Sequence, residues 1–293
     1  MFKGSITALV TPFTKKGEVD EETLAKLVEF HVKSGTDGLV PCGTTGESAT
    51  LNYEEHERVI EICVRVSKKR IPVIAGTGSN STHEAIELSE YARKVGSDGL
   101  LLVSPYYNKP TQKGLYLHFK AIAEHVDLPI ILYNIASRTG VNIEPETVAK
   151  LSQDCKNIVA IKEASGSLEQ MSRIMALCGK KLTMLSGDDA LTLPLMAIGG
   201  EGVISVVANI IPKDVKAMVA AFFKGDLEEA RRLHYKMLPL IKAVFIETNP
   251  IPVKTAMGLM GLCESSLRLP MCEMAPENLA KLKTALRDYG LIK

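Results

Sequence analysis

The chain has 293 residues, of which 46% are hydrophobic and 24% are charged, and its formal net charge is +1. This balance is typical of a globular protein with a sizeable core, and it excludes a disordered chain. Because there is no long basic run, nothing in the sequence favours binding to nucleic acid or to an anionic membrane. Small neutral or acidic metabolites are the expected partners.

The six cysteines form no CxxC pair and no zinc-type spacing with the six histidines. We therefore expect free thiols in a reducing compartment, with no metal and no cofactor. Residues 1–6 run directly into a strand-like segment without a hydrophobic leader, and no run of about 20 apolar residues follows. These features predict a cytoplasmic protein.

Short apolar runs alternate along the chain with amphipathic stretches of helical length, a pattern typical of βα units around a parallel sheet. Eight strands are predicted, at residues 6–10, 38–41, 73–75, 100–103, 130–133, 159–162, 183–185 and 203–205. Helices are predicted between them at residues 21–34, 53–67, 82–95, 114–125, 145–153 and 167–177. Eight units of about 30 residues favour an α/β fold of the (β/α)8 TIM-barrel type over a doubly wound sheet.

Four more helical patterns follow the eighth strand, at residues 212–223, 227–246, 252–262 and 276–289. We interpret the first as the eighth barrel helix and the others as a C-terminal helical extension. No Pro/Ser/Gly-rich linker separates them, so the extension should pack on the barrel. The predicted domains are the barrel at residues 1–224 and the extension at residues 225–293.

Lys162 is the most informative residue, because it ends the apolar run of the sixth predicted strand. A buried ammonium must be paired or must lose its proton, and burial can lower a lysine pKa by up to about 3–5 units. A lysine deprotonated in this way is a nucleophile toward carbonyl groups. The alternative is a lysine just past the strand that pairs with Glu163 or reaches solvent.

The second predicted strand ends in Gly43-Thr44-Thr45-Gly46-Glu47. The flanking glycines permit a tight turn in which two backbone N–H groups and two hydroxyls converge on a carboxylate or phosphate. The alternative is a plain turn whose threonines only cap the next helix. The GK[ST] ending of a nucleotide-binding P-loop is missing.

Other polar side chains stand after the predicted strands, at the end of a barrel where active sites form. Tyr106, Tyr107 and Tyr133 can supply acid or base chemistry where no histidine is near, unless the rings only fill the barrel mouth or an interface. Arg138 can bind a carboxylate in a bidentate fork, unless it is a solvated surface arginine. The strand ends show no histidine motif or carboxylate cluster typical of a metal site.

Nine short motifs occur in a fixed order along the chain: Thr11-Pro12-Phe13, Gly43-Thr44-Thr45-Gly46-Glu47, Pro105-Tyr106-Tyr107-Asn108, Tyr133-Asn134, Ser137-Arg138-Thr139-Gly140, Ile161-Lys162-Glu163-Ala164, Ser186-Gly187-Asp188-Asp189, Gly202-Val203-Ile204-Ser205 and Asn249-Pro250-Ile251-Pro252-Val253-Lys254. The ordered set resembles the dihydrodipicolinate synthase family, within the pyruvate-dependent Schiff-base aldolases that include N-acetylneuraminate lyase. The resemblance covers essentially the whole chain.

The resemblance implies that Lys162 forms an imine with pyruvate, which becomes an enamine and condenses with L-aspartate-4-semialdehyde in the diaminopimelate route to lysine. Tyr133 would be the acid/base, with Thr44 and Tyr107 completing a proton relay to solvent. In the family, the tyrosine that matches Tyr107 reaches into a neighbouring subunit, which implies at least a dimer and usually a homotetramer.

The resemblance also implies the substrate contacts. The backbone N–H groups of Thr44 and Thr45 would hold the pyruvate carboxylate, and Gly187 and Ile204 would line the pocket. Arg138 would bind the carboxylate of aspartate-semialdehyde, a contact that sialic-acid lyases and keto-deoxy-sugar aldolases lack.

One residue departs from the family pattern. Ala136 stands where the family usually has proline before the Ser-Arg-Thr-Gly segment, so we expect a softer loop with unchanged chemistry. The alternatives to the implied function are a sibling aldolase for another 2-keto acid and a non-catalytic barrel that senses a keto acid or lysine. A sensor of that kind should have lost Lys162 or Tyr133, and both are present.

A further set of positions matches those that bind the feedback inhibitor L-lysine in sensitive members of the family: Ser48, Ala49, His56, Asn80, Glu84 and Tyr106. Tyr53 stands where those members often have histidine. The match implies that Glu84 pairs with the lysine ammonium, while Asn80 and Tyr106 hold its carboxylate and amine. The alternative is that His56 and Glu84 are ordinary residues of helix surfaces.

Overall fold

The computed structural model describes residues 2–293, so Met1, the first residue of the predicted barrel domain, lies outside the described part. Within residues 2–293 the strands are β1 (Gly4–Ala8), β2 (Gly38–Val40), β3 (Ile74–Gly76), β4 (Gly99–Val103), β5 (Ile130–Asn134), β6 (Ile158–Glu163), β7 (Thr183–Ser186) and β8 (Gly202–Ser205). They form one parallel sheet in the order β2-β1-β8-β7-β6-β5-β4-β3. An isolated parallel bridge between Leu39 and Val73 joins the two ends of this order. The predicted TIM barrel is confirmed.

Helices surround the barrel and continue into the C-terminal extension. They are α1 (Glu21–Ser34), α2 (Tyr53–Ser67), α3 (Thr82–Lys94), α4 (Gln112–His125), α5 (Ala136–Thr139), α6 (Pro145–Asp154), α7 (Leu168–Cys178), α8 (Thr192–Ala197), α9 (Pro212–Phe223), α10 (Leu227–Val244), α11 (Ile251–Leu259) and α12 (Pro276–Tyr289).

Polar side chains fix where several barrel helices begin. The Asp20 carboxylate accepts a hydrogen bond from the N–H of Thr23 at 3.0 Å and so caps α1. Asn52 and Glu55 form a reciprocal capping box at the start of α2. Such caps satisfy backbone N–H groups that the first helical turn leaves without partners.

Two short helices differ from the prediction. The segment around Arg138 was predicted as a loop, but residues 136–139 form the helical turn α5, which Gly140 ends in the left-handed conformation. Ala136 therefore begins a helical turn, and the softness predicted from it stays a prediction. Helix α8 was not predicted at all, because six residues are too few to show helical periodicity.

The interior of the barrel is a layer of side chains from the eight strands. In the sheet register Tyr133 of β5 aligns with Lys162 of β6, and Lys162 aligns with Leu185 of β7. Tyr133 and Leu185 belong to the inner apolar cluster, so Lys162 faces the same interior. Since successive residues of a strand point to opposite faces, Glu163 points outward from the barrel interior.

The C-terminal extension packs on the barrel. Met237 and Leu240 of α10 and Met257 of α11 are buried in the same apolar core as the barrel helices. The proposed boundary between the two domains at residue 224 stays a prediction. Among residues 2–293, no helix is both long enough and apolar enough to cross a membrane.

Candidate active site

Lys162 is buried near the carboxyl end of β6, with 5% of its surface exposed. Its Nζ lies 4.1 Å from the centre of the Tyr133 ring. Glu163 is occupied elsewhere, because its carboxylate accepts hydrogen bonds from the N–H of Ser165 at 2.7 Å and from Nδ2 of Asn134 at 3.1 Å. Within residues 2–293, no carboxylate forms a salt bridge with Lys162. The structure thus contradicts the alternative in which Lys162 pairs with Glu163.

Gly187 stands beside this lysine, and Ile204 lies in the inner layer of the barrel. A Cβ at position 187 would lie 3.1 Å from Cε of Lys162 and 2.7 Å from Cβ of Ala164, so only glycine leaves the lysine its space. Ile204 of β8 is fully buried in the inner apolar cluster together with Tyr133. The amine thus lies in an inner layer of apolar side chains, with the Tyr133 phenol against it.

The loop after β2, residues 43–47, has the geometry of an anion nest, and we call it the nest loop. Among the described residues, the backbone N–H groups of Thr44 and Thr45 have no hydrogen-bond partner, whereas those of Gly46 and Glu47 donate to carbonyls of the same loop. The hydroxyl of Thr11 donates to the carbonyl of Gly46 at 2.7 Å. Two adjacent free N–H groups in a fixed turn are suited to a carboxylate.

Arg138 lies on the helical turn α5 with its guanidinium close to the nest loop. Its Nη2 donates to the backbone carbonyl of Asn249 at 2.9 Å. No carboxylate pairs with Arg138 in the part of the chain that the structure describes. Thr44 and Arg138 line one cavity of about 420 Å³, so a ligand in that cavity can contact both.

The three strand-end tyrosines occupy different environments. Tyr133 is buried beside Lys162, whereas Tyr107 is 90% exposed on a backbone with a φ of 73°. Tyr106 lines the cavity. In the single chain, within residues 2–293, no hydrogen bond joins the hydroxyls of Thr44, Tyr107 and Tyr133. One chain by itself therefore does not show the predicted relay.

The same cavity continues to the residues that match the lysine-inhibitor positions. Its walls include Ser48, Ala49, Tyr53, His56, Glu84 and Tyr106. Asn80 is not among the residues that line it, and its carbonyl accepts a hydrogen bond from the side chain of Asn108 at 2.9 Å. The cavity thus brings together six of the seven predicted positions.

His56 and Glu84 are not ordinary helix-surface residues. His56 is buried, its Nε2 lies 2.7 Å from the carbonyl oxygen of Gly76, and burial lowers its pKa. The carboxylate of Glu84 accepts a hydrogen bond from the hydroxyl of Ser79 at 2.7 Å. Burial, followed by the nearby charge of Glu84, raises the pKa of the Tyr53 phenol. The wall therefore presents the carboxylate of Glu84 and the protonated phenol of Tyr53 to the cavity.

Two residues of the C-terminal extension reach this site without having been assigned a role from the sequence. The Nδ2 of Asn249 donates to the hydroxyl of Thr45 at 3.0 Å. Lys254, which is fully buried in α11, donates to the carboxylate of Glu47 at 2.6 Å. A lysine within an apolar helical run is the same kind of signal as Lys162, and it could have marked Lys254.

No group of three or more His, Cys, Asp or Glu side chains able to hold a metal ion occurs within residues 2–293. Asp189, at the end of β7, instead accepts hydrogen bonds from the N–H groups of Val206 and Val207, each at 3.0 Å. Burial raises the pKa of this carboxyl group. Asp189 therefore fastens the loop after β8.

A parallel (β/α)8 barrel is suited to the chemistry of an aldolase-type enzyme when its strand ends carry a buried lysine without an ion-pair partner within residues 2–293 and two free backbone N–H groups. The model of the Dihydrodipicolinate synthetase family matches residues 1–289, and the chain belongs to this family. Over 292 residues it is 62% identical to the 4-hydroxy-tetrahydrodipicolinate synthase of Geotalea uraniireducens, with 100% of both chains covered.

Solved structures agree with this assignment. The dihydrodipicolinate synthase of Aquifex aeolicus superposes with a TM-score of 0.98 at 55% identity, covering 99% of each chain. The enzyme of Cyanidioschyzon merolae, whose structure was solved with lysine bound, superposes with a TM-score of 0.97 at 44% identity and again covers 99% of each chain.

Proposed function

We propose that the protein condenses pyruvate with L-aspartate-4-semialdehyde through a Schiff base on Lys162. The activity is that of a 4-hydroxy-tetrahydrodipicolinate synthase, a lyase in the diaminopimelate route to lysine, as the family and the full-length relatives indicate. The observation that carries the mechanism is the amine of Lys162, which is buried beside Tyr133 with no carboxylate partner within residues 2–293.

The proposed reaction begins when the Lys162 amine attacks the ketone carbon of pyruvate. The resulting carbinolamine loses water to give an imine, and loss of a methyl proton converts the imine into an enamine. The enamine carbon then attacks the aldehyde of the second substrate and forms the new carbon–carbon bond. Tyr133 is the acid/base for these proton transfers, because its ring lies against the amine and no histidine stands at a strand end.

The pyruvate carboxylate binds to the nest loop. The N–H groups of Thr44 and Thr45, which have no partner within residues 2–293, supply two hydrogen bonds to a charged acceptor. Gly187 gives the lysine side chain its room, and Ile204 closes the apolar side of the pocket. The carboxylate is thereby anchored while the ketone carbon faces the amine.

Arg138 binds the carboxylate of aspartate-semialdehyde. Its guanidinium has no carboxylate partner within residues 2–293, and it lines the same cavity as Thr44. Such a group is suited to an acidic second substrate. A sibling aldolase that uses sugar aldehydes has no need of this charge. A coupled assay with aspartate-semialdehyde against sugar aldehydes decides between the two substrates, and faster turnover of a sugar aldehyde would refute the proposal.

Tyr107 completes the relay through Thr44 in the active site of a neighbouring subunit. Its 90% exposure and its left-handed backbone direct the phenol away from its own chain. We therefore propose a homotetramer built from dimers that share this tyrosine, working in the cytoplasm. Tyr107→Phe should lower the rate, and a mixed dimer of Tyr107→Phe and Lys162→Ala chains should recover part of it through one intact site.

L-Lysine is proposed to inhibit by binding at the far wall of the cavity. Glu84 supplies a carboxylate for the ammonium group, and Tyr53 and Tyr106 supply phenols nearby. The Cyanidioschyzon merolae relative binds lysine in its crystal structure. A titration with L-lysine up to millimolar concentration tests this proposal, with Glu84→Gln as the matched variant. No loss of rate in the wild type would refute it.

The imine itself is tested by borohydride reduction in the presence of pyruvate, followed by mass spectrometry of the digested protein. A stable adduct on Lys162 is expected, because reduction converts the imine into a secondary amine. Omitting pyruvate is the control. An adduct on another lysine, or none at all, would refute the mechanism.

A further inference from the structure

The nest loop is tied to the C-terminal extension by a buried ion pair. Nζ of Lys254 lies 2.6 Å from Oε1 of Glu47, and both side chains are buried. The other carboxylate oxygen of Glu47 accepts a hydrogen bond from the backbone N–H of Arg268 at 3.2 Å. The pair joins residues that are 207 positions apart in the chain.

Glu47 holds a backbone conformation that is uncommon for a residue with a side chain. Its φ of 53° and ψ of 37° place it in the left-handed region. Such a conformation persists where the surroundings fix it. The N–H of Glu47 also donates to the carbonyl of Thr44 at 3.1 Å. The conformation of Glu47 therefore sets the turn in which the N–H groups of Thr44 and Thr45 are left free.

The entry to α11 reaches the same site by a second route. Asn249 donates from its side chain to Thr45 and accepts from Arg138 with its backbone carbonyl, at 3.0 and 2.9 Å. Lys254 lies one helical turn further along the chain. One helix of the extension thus contacts the carboxylate-binding loop and the arginine proposed for the second substrate.

Stability alone does not explain why this position carries charges. Lys254 is fully buried, its Nζ lies 3.9 Å from the centre of the Phe13 ring, and burial lowers its pKa against the opposing effect of Glu47. Exchanging a buried ion pair for apolar side chains is often neutral or stabilising. A hydrogen-bonded ion pair restricts the distance and the relative orientation of its two side chains more narrowly than an apolar contact does.

We propose that Glu47 and Lys254 are positioning residues for the pyruvate carboxylate. Their ion pair holds the turn at Glu47 so that the N–H groups of Thr44 and Thr45 converge on one ligand group. This inference rests on the proposed pyruvate site in the nest loop. Glu47 lines the cavity, but its two carboxylate oxygens are engaged by Lys254 and by the N–H of Arg268, so we assign the pair an effect on pyruvate through the loop.

The experiment measures pyruvate binding apart from turnover. Borohydride trapping on Lys162 is titrated with pyruvate in the wild type, Glu47→Gln and Lys254→Met, and KM is measured for both substrates. The half-saturating pyruvate concentration is expected to rise about tenfold in each variant, as misaligned hydrogen bonds to a charged group would cause. The KM for aspartate-semialdehyde should change less, because Arg138 keeps its own contact with Asn249.

The matched control is Leu286→Ala, which removes a fully buried side chain of α12 and leaves the ion pair intact. It should destabilise the extension while its half-saturating pyruvate concentration stays at the wild-type value. Circular dichroism establishes that each variant is folded. If Lys254→Met does not fold, Glu47→Gln decides, since it keeps the size of the side chain but replaces one of the two accepting oxygens with an NH2 donor.

An unchanged half-saturating concentration in a folded Glu47→Gln or Lys254→Met protein would overturn the proposal. An equal rise in Leu286→Ala would also overturn it, because general loosening would then be the cause. Absence of an adduct on Lys162 in the wild type would instead refute the proposed imine chemistry, so the two failures are distinguishable.

Discussion

The barrel and the extension each bury one lysine, and the two lysines differ in the groups that surround the amine. Lys254 has a carboxylate at 2.6 Å, whereas Lys162 has the face of a phenol at 4.1 Å and no carboxylate partner within residues 2–293. Burial is therefore not what separates a reactive amine from a structural one. The separation lies in the partner, because the ammonium of Lys254 is held in an ion pair with Glu47, whereas the amine of Lys162 has no ion-pair partner within residues 2–293.

Removing the unpaired lysine should have the largest effect. Lys162→Ala is expected to lower kcat by at least roughly 10³-fold, because no other group can form the imine. Steady-state kinetics and borohydride trapping measure the loss. Lys156→Ala, which removes an exposed lysine just before β6, is the control and should stay near wild-type activity. Substantial activity in Lys162→Ala would show that Lys162 is not the required amine, and it would contradict the contrast drawn with Lys254.

Removing the paired lysine should lower stability in addition to weakening pyruvate binding. Lys254→Met leaves Glu47 as an uncompensated buried carboxylate, and it should lower the free energy of unfolding by about 3–5 kcal/mol. The double variant Glu47→Met/Lys254→Met should recover most of this loss, since both charges are gone. Urea unfolding measures the three proteins. A double variant as unstable as the single one would show that the pair itself carries the stability.

Arg138 tests whether a free cation on the barrel rim is a binding group. Arg138→Ala should lower kcat/KM for aspartate-semialdehyde about a hundredfold, because a charge-assisted bidentate contact is lost. Pyruvate trapping on Lys162 should continue. Arg93→Ala, which removes a surface arginine 3.8 Å from Asp127, is the matched control. A parallel loss of pyruvate trapping would mean that Arg138 supports the nest loop instead.

His31 is another buried base, and it stays neutral. Burial lowers its pKa to about 3, so below a pH of about 6.5 the unfolded chain binds a proton that the folded chain does not. Stability should therefore fall as the pH falls through this window, by about 2 kcal/mol at pH 5 from this group alone. Urea unfolding at pH 7 and pH 5 should show a smaller loss for His31→Gln than for the wild type.

The control for this prediction is His83→Gln, because His83 is exposed on α3. Its acid sensitivity should equal that of the wild type. Equal acid sensitivity in His31→Gln and the wild type would show that His31 takes up its proton in the folded state as readily as in the unfolded one.

Local sequence patterns predicted most of the fold and marked one half of the candidate site. Strand β6, predicted at residues 159–162, spans Ile158–Glu163. The prediction was possible because a β-branched apolar run favours a strand that is buried on both faces of a parallel sheet. Lys162 and the nest loop could also be recognised from local sequence, because the pattern that marks each of them lies within a segment of five residues. Helix α8 was missed because a six-residue helix is too short for a 3.6-residue period to show.

The other half of the site depends on contacts that no local pattern contains. Lys254 stands in a run as apolar as that around Lys162, but its partner Glu47 lies 207 positions away. The contacts of Asn249 are also distant in sequence, because its partners Thr45 and Arg138 lie in two different barrel units. Sequence patterns could mark these residues as unusual, but only the packing of α11 against the nest loop gives them partners.

The long reach of the Glu47–Lys254 contact also bears on protein synthesis. Lys162, the proposed nucleophile, is synthesised with the barrel, but helix α11, which contacts the nest loop, follows almost a hundred residues after it in the chain. A nascent or truncated chain that ends before α11 would hold a reactive amine without a finished substrate cradle. If the nest loop binds pyruvate as proposed, activity therefore depends on completion of the polypeptide through α11.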